Sequence, residues 1–335
     1  VTTSESSERV LVTGALGCIG AWTVRVLLED GATVVAYDAG EAEHRLAQVV
    51  PLPPPDRLVR VQGDVRDQRA LERVMDEHEV SSVIHLAGLQ VPACRSAPVL
   101  GAEVNVVGTV TVFEAVRARR ERRERIGPVV YASSVAAYGG QEDGVGGGDA
   151  ELGGHAQTLY GVYKRANEGC ARVYWEDAGV GSVGLRPYVV YGPGRDQGVT
   201  SEPTLAMLAA ARGDPFHITY GGFSHMQYAE DVARSFVAAA RSGHQGAAVV
   251  NLAGSVVHMR EVVAAIEAAV PEARGRISFG DAPLPFPGQV DTTNDVFPSQ
   301  ATTPLEEGVR RTVGHFRRML ADERTASLLT GGCQA

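Results

Sequence analysis

The chain has 335 residues and a formal net charge of −9, with 44% hydrophobic and 21% charged residues. That length can bury a sizeable core in one large domain or two closely joined ones, and the negative balance argues against a general nucleic-acid binder. The four cysteines, Cys18, Cys94, Cys170 and Cys333, have no paired or metal-like spacing and are expected to be reduced thiols; no metal site is expected. Residues 1–9 are polar, and no apolar run reaches the roughly 18 residues of a membrane span, so the expectation is an untargeted, cytoplasmic protein.

The first apolar run, residues 9–13, leads into Gly14-Ala-Leu-Gly17-Cys18-Ile19-Gly20, after which Trp22, Val26 and Leu27 recur at helical spacing. This is a strand, a glycine turn and a helix. Such a turn lets the backbone approach a pyrophosphate, whose charge is favoured at a helix N-terminus. Cys18 suits either a thiol activated at that N-terminus or a small side chain packed beside the cofactor. The second run, residues 33–37, ends in Asp38, 18 positions after Gly20, where an acidic residue takes up the adenosine ribose hydroxyls of NAD. A carboxylate there repels the 2′-phosphate of NADP, so NAD is the expected cofactor.

A proline-rich connection, residues 51–55, precedes a strand at 58–62 and Gly63-Asp64-Val65. Asp64 follows a strand end on the adenine side, and a turn or cap role suits it equally. A helix over 66–79 and a buried strand over 82–86 follow, opening into Leu86-Ala87-Gly88. Residues 99–125 are predicted to form one helix carrying Asn105, with a cationic run at its end that fits a solvated helix terminus. A strand over 129–132 delivers Ser133-Ser134, and the glycine-rich, acidic segment 139–154 reads as a loop, either a lid or a tolerated surface excursion. Alternation of strands and helices implies a doubly wound parallel sheet, an α/β fold of Rossmann type.

Tyr160 and Lys164 stand four apart, one helical turn, where both can serve one substrate; this spacing is also commonplace on helix surfaces. A phenol works as a base near neutral pH only if its pKa of about 10 falls by roughly 2 to 3 units, which the Lys164 ammonium and a cationic nicotinamide would promote.

Together these motifs resemble the extended short-chain dehydrogenase/reductase family of epimerases, dehydratases and reductases. The likeness rests on Gly14-x-x-Gly17-x-x-Gly20, Asp38, Gly63-Asp64-Val65, His85-Leu-Ala-Gly88, Ser133-Ser134 with Tyr138-Gly139, Tyr160-x-x-x-Lys164 and Leu185-Arg-Pro-Tyr-Val-Val-Tyr-Gly-Pro-Gly194, and runs to about residue 237. It implies Tyr160 as catalytic acid/base, Lys164 as ribose ligand and pKa modulator, and Ser134, with Ser133 as second choice, as hydrogen-bond donor to the reacting oxygen. It further implies cofactor contacts from Gly14, Gly17, Cys18, Ile19, Gly20, Asp38, Asp64, Val65, Leu86, Ala87, Gly88, Asn105, Pro187 and Tyr188. Substrate contacts would come from Gln90, Ser134, Tyr160, Tyr188 and Arg195.

The departures shape the expected function. Dehydratases resembling this chain carry Asp-Glu after the catalytic hydroxyl; here Val135-Ala136 follow Ser134. Members acting on nucleotide-diphosphate sugars often show an Arg-Asp-Phe segment and a later Arg-x-Gly-Asp; here the corresponding stretches are Ser224-His225-Met226-Gln227 and Phe286-Pro-Gly-Gln289. Arg195 can bind an anion or pair with Asp196, and His225 and Gln227 can line a pocket or sit on a surface loop. The expectation is an NAD-dependent oxidoreductase acting on a secondary alcohol or ketone of a small, polar, sugar-like molecule. The alternatives are a sugar or nucleotide-sugar epimerase and a non-catalytic NAD sensor. A cofactor domain over 1–190 with 226–253 returning to it, a substrate domain over 191–225 and 254–335, and a homodimer through residues 99–125 and 157–176 complete the expectation.

Overall fold

The computed structural model describes residues 8–50, 57–138 and 156–329. Numbering strands in chain order, β1 (Arg9–Thr13), β2 (Thr33–Asp38), β3 (Leu58–Gln62), β4 (Ser82–His85), β5 (Val129–Ala132), β6 (Ser182–Arg186) and β10 (Ala247–Asn251) form one sheet. Its order is β10-β6-β5-β4-β1-β2-β3, with every neighbouring pair parallel. Such strands are covered on both faces, which is why Val10, Leu11, Val12, Val34 and Val35 form unbroken apolar runs instead of alternating with polar residues. Strand order reverses between β1 and β4, so a crevice opens at their carboxyl ends.

Helix α1 (Cys18–Glu29) and α9 (Ala229–Ala240) cover one face, burying Val26, Leu27 and Phe236 against Val10 and Val12. On the other face lie α3 (Gln68–Glu77), α6 (Gly108–Glu121) and α7 (Leu159–Ala178). There Phe113 stacks on Tyr174 and meets Tyr131 edge-on. The helix expected over 99–125 is interrupted: α4 (Val91–Ser96) and α5 (Pro98–Ala102) lead into a π-helical turn, Glu103–Val107, before α6. Its cationic end is neutralised locally, Arg119 and Arg122 both pairing with Asp76. The stretch Pro98–Glu121 is long and apolar enough to cross a membrane, contrary to expectation, but half of its apolar window is buried in this core.

The later chain adds a three-stranded sheet of β7 (Val189–Tyr191), β9 (Phe223–Tyr228) and β11 (Ser255–His258), and a pair formed by β8 (Phe216–Ile218) and β12 (Ile277–Phe279). Helices α8 (Glu202–Arg212), α10 (Met259–Ala269) and α11 (Leu305–Ala321) enclose a separate core that includes Met207, Ile218, Met226 and Phe316. β9 corrects the surface-loop alternative for His225 and Gln227: both are buried on a strand. The connection 51–55, the loop 139–154 and Cys333 lie outside the described residues.

Candidate functional site

The glycine turn is packed to the limit. Gly14 has φ +69°, and a Cβ on it would lie 2.5 Å from the Ala87 backbone nitrogen; one on Gly20 would lie 2.1 Å from the Gly14 carbonyl oxygen. Gly17 precedes α1 and no side chain caps that helix, so the amides of its first turn, at Cys18, Ile19 and Gly20, face an anion site. Burial pushes the Cys18 thiol up to about 11, which favours the packed side chain over an activated thiol. At the end of β2, Asp38 accepts hydrogen bonds from the Leu16 and Gly40 amides, both at 2.9 Å. These bonds hold its carboxylate at the rim of the glycine turn.

Asp64 follows the end of β3, with its carboxylate gripped by Arg66, whose guanidinium also reaches Glu103 at 2.6 Å. The Arg66 bonds hold the Asp64 carboxyl below its usual range. Val65, buried behind it, is crossed closely by the main chain at Gly108, where a Cβ would come within 2.7 Å of a Val65 methyl.

Three elements bring the acid/base groups together. β5 ends at Ser133-Ser134, and the Ser134 hydroxyl accepts from the Ala136 amide at 3.1 Å, capping a short turn. Helix α7 starts at a Thr158 cap, and its first turn presses on that same short turn: a Cβ on Gly161 would lie 2.1 Å from the Ala136 carbonyl oxygen. This contact sets Tyr160 against Ser134. Burial raises the Tyr160 pKa, while the Ser134 hydrogen bond and the Arg195 charge oppose it. Lys164, buried, donates to the Ala132 carbonyl at 2.7 Å and lies 5.5 Å from the centre of the Tyr160 ring. Desolvation lowers its pKa to about 8, so the ammonium is held at a cost that a nearby anion or phenolate would relieve.

Leu86, Ala87 and Gly88 follow β4 into the crevice. Gly88 leaves a gap between Asn105 and Lys164: a Cβ there would be 2.8 Å from Asn105 Oδ1 and 3.4 Å from Lys164 Nζ. Asn105 occupies the π-helical turn, an irregularity frequent at functional sites. Its amide nitrogen donates to the Gly101 carbonyl at 2.9 Å, but its buried Oδ1 has no partner. Ser133 points elsewhere, donating to Glu168, which also forms a two-pronged pair with Arg186 at 2.8 and 2.7 Å.

Pro187 and Tyr188 join β6 to β7 beside this group. The Tyr188 amide donates to Gln227 Oε1 at 2.8 Å, its hydroxyl donates to the Pro287 carbonyl at 2.9 Å, and its ring stacks on His225 at 5.4 Å. Gln227 and His225 thus belong to the framework around Tyr188, the pocket alternative expected from the sequence, whereas local spacing did not reveal the Glu168–Arg186 pair. Gln90 and Arg195 converge at Gly198: a Cβ there would be 1.9 Å from Gln90 Oε1 and 3.7 Å from Arg195 Nη2. The Arg195–Asp196 alternative is not realised, because Asp196 binds His44 at 2.8 Å and Arg45 at 2.7 Å. Among the described residues no group of three His, Cys, Asp or Glu is placed to hold a metal.

The glycine cradle, the uncapped helix, the Asp38 carboxylate and the orphaned Asn105 oxygen fit a dinucleotide, and Lys164 would hold its nicotinamide end. Residues 10–253 match the NAD dependent epimerase/dehydratase family. The chain is 35% identical to UDP-glucose 4-epimerase 2 of Arabidopsis thaliana over 138 residues, which are 40% of this chain and 38% of that protein. It thus spans about two fifths of the length of this curated relative. Among solved structures, UDP-glucose 4-epimerase of Thermus thermophilus in complex with NAD superposes with a TM-score of 0.72 at 27% identity, covering 92% of this chain and 99% of the other. L-threonine dehydrogenase of Clostridium difficile shares the fold with a TM-score of 0.77 at 19% identity, over 93% and 98% of the two chains.

Proposed function

The chain belongs to the NAD dependent epimerase/dehydratase family, and from that premise we propose that it catalyses NAD-dependent hydride transfer at a secondary alcohol or ketone of a small sugar-like molecule. The observation that carries this reading is the convergence of Ser134, Tyr160 and Lys164 at the carboxyl end of β5, opposite the glycine cradle. NAD, when bound, supplies the hydride acceptor. Tyr160 takes the hydroxyl proton, Ser134 steadies the oxygen as charge develops on it, and Lys164 orients the ribose and favours the phenolate. The carbinol thus loses a hydride and a proton, and the reverse sequence reduces the ketone.

Net dehydrogenation is the first reading, because the segments that correspond to a diphosphate clamp are apolar or neutral: Phe286 packs on Tyr188 instead of presenting a cation. Epimerisation by transient oxidation is the second, favoured by the UDP-glucose 4-epimerase relatives. Incubation with NAD and panels of free sugars, sugar acids and nucleotide sugars separates them. Accumulating NADH supports dehydrogenation; an inverted product without NADH supports epimerisation; neither, with every panel, rejects hydride transfer.

The proposed division is a cofactor domain over 1–190 with 226–253 returning to it and a substrate domain over 191–225 with 254–335, except that β7 and β9, with Val189, Met226 and Tyr228, pack in the second core. Asp38→Ala is expected to weaken NAD about 10-fold and to narrow the preference over NADP. An unchanged NAD/NADP ratio in fluorescence titrations would remove Asp38 from cofactor selection. Free thiols at Cys18, Cys94 and Cys170 suit a reducing compartment, and the cytoplasm is the proposed location. A homodimer through α5–α6 and α7 is supported by exposed apolar side chains there, Val99 (74% exposed), Val107, Val162 and Val173. Light scattering at micromolar concentration should give twice the chain mass, and Val99→Glu should halve it; a monomeric wild type contradicts the assignment.

A further inference from the structure

Arg195 has no counter-ion among the described residues. The two carboxylates nearest to it in sequence are engaged elsewhere, Asp196 on His44 and Arg45, and Glu202 on the Thr219 amide at 2.6 Å and hydroxyl at 2.9 Å. Among the described residues only Thr200 receives a bond from its guanidinium, at 2.8 Å from Nη2, and its buried Nε has no partner there. A guanidinium with unused donors is poorly satisfied by protein alone.

Its surroundings place it on the substrate side of the crevice. Gln90 Oε1 and Arg195 Nη2 both face Gly198 (φ +87°), at 1.9 Å and 3.7 Å from where its Cβ would stand, and Gln90 follows Gly88, which lies against Asn105 and Lys164. The Arg195 charge favours the ionised forms of Tyr160, Tyr220 and Cys18, each otherwise raised by burial, so all three lie within its electrostatic reach. Tyr220 is 4% exposed, and its hydroxyl has no partner either. Beside Gly198 thus stand an unpaired cation and the Gln90 side chain, with the unpaired Tyr220 phenol and Tyr160 within reach of the same charge.

We propose that Arg195, with Tyr220 and Gln90, forms a carboxylate-binding subsite, and that the substrate is a sugar acid or related hydroxy acid held by its carboxylate near the carbon being oxidised. This rests on the hydride-transfer reading and names its substrate class. One guanidinium neutralises one charge, and its fork matches a planar carboxylate through two parallel hydrogen bonds. A nucleotide diphosphate brings more negative charge than this single cation balances.

The test pairs D-gluconate and D-galacturonate with D-glucose and D-galactose, and adds UDP-galactose. In the presence of NADH, the acids should raise the melting temperature of the wild type and of Tyr160→Phe, whereas the neutral sugars should not. Arg195→Met should weaken binding of the acids about 100-fold, and Arg195→Lys should restore about 10-fold of that loss. Binding read in Tyr160→Phe is independent of turnover, so acids that bind through Arg195 without being oxidised would uphold the subsite and reject hydride transfer. Oxidation of neutral sugars with no Arg195-dependent binding of acids would reject the subsite and keep hydride transfer. Preference for UDP-galactose, or loss of NADH affinity alone in Arg195→Met, would place the guanidinium on a diphosphate and overturn the proposal.

Discussion

Tyr160→Phe is expected to lower kcat by about 10²- to 10⁴-fold, the range of a lost acid/base group, while NAD affinity stays within a few-fold. The substitution removes one oxygen and keeps the ring that packs near Lys164, so folding and the glycine cradle are untouched. The effect should fall on kcat and kcat/KM together, since the proton moves only as the hydride does. Without cofactor, burial outweighs Ser134 and Arg195 and holds the phenol above its ordinary pKa. A cationic nicotinamide and the Lys164 ammonium therefore have to reverse that balance. The rate of alcohol oxidation should rise with pH as the phenolate forms. Removing the Arg195 charge takes away a stabiliser of the phenolate, raises that pKa further and moves the rising limb to higher pH. Turnover unchanged in Tyr160→Phe would remove the residue from the chemistry.

Glu168→Ala is expected to destabilise the fold by about 3 to 5 kcal/mol, the cost of leaving a buried charge without its partner. Arg186 is 3% exposed, and Glu168 supplies its only carboxylate among the described residues. The Tyr138 side chain, its ring 4.5 Å from the guanidinium, offers contact in compensation but no carboxylate. The same carboxylate receives the Ser133 hydroxyl, so its loss frees three donors within the wall that carries Ser134. Replacing both partners with apolar residues, Glu168→Leu with Arg186→Met, should recover most of the loss in urea unfolding. A single variant as stable as the wild type would mean that water reaches Arg186 and that the pair is not a buried one.

The local rules of the first half of the chain were legible because each motif is short and close-packed. Glycines at 14, 17 and 20 have contacts that a Cβ would violate or a helix start to serve, and Asp38 ends a strand whose register is set by apolar pairing with β1. The alternation of strands and helices likewise announced a parallel sheet. What spacing could not show is contact between distant segments. Gln227 braces the Tyr188 amide 39 positions away, Glu168 grips Arg186, and Pro287 accepts the Tyr188 hydroxyl. The π-helical turn at Asn105 was also invisible, because residues 103–107 have the same apolar periodicity as the α-helix around them. Competition decided Asp196: with Arg195 adjacent in sequence, the carboxylate nonetheless lies on His44 and Arg45, some 150 positions away.

The most direct test of hydride transfer follows a deuterium atom. A substrate found in the panels, deuterated at its carbinol carbon, is incubated with the protein and NAD, and the extracted cofactor is examined by mass spectrometry. Deuterium in the reduced nicotinamide, or its return to the same carbon in an inverted product without exchange into water, is the result predicted. Loss of the deuterium to solvent would mean that the carbon gives up a proton and not a hydride, and would contradict the mechanism built on Ser134, Tyr160 and Lys164.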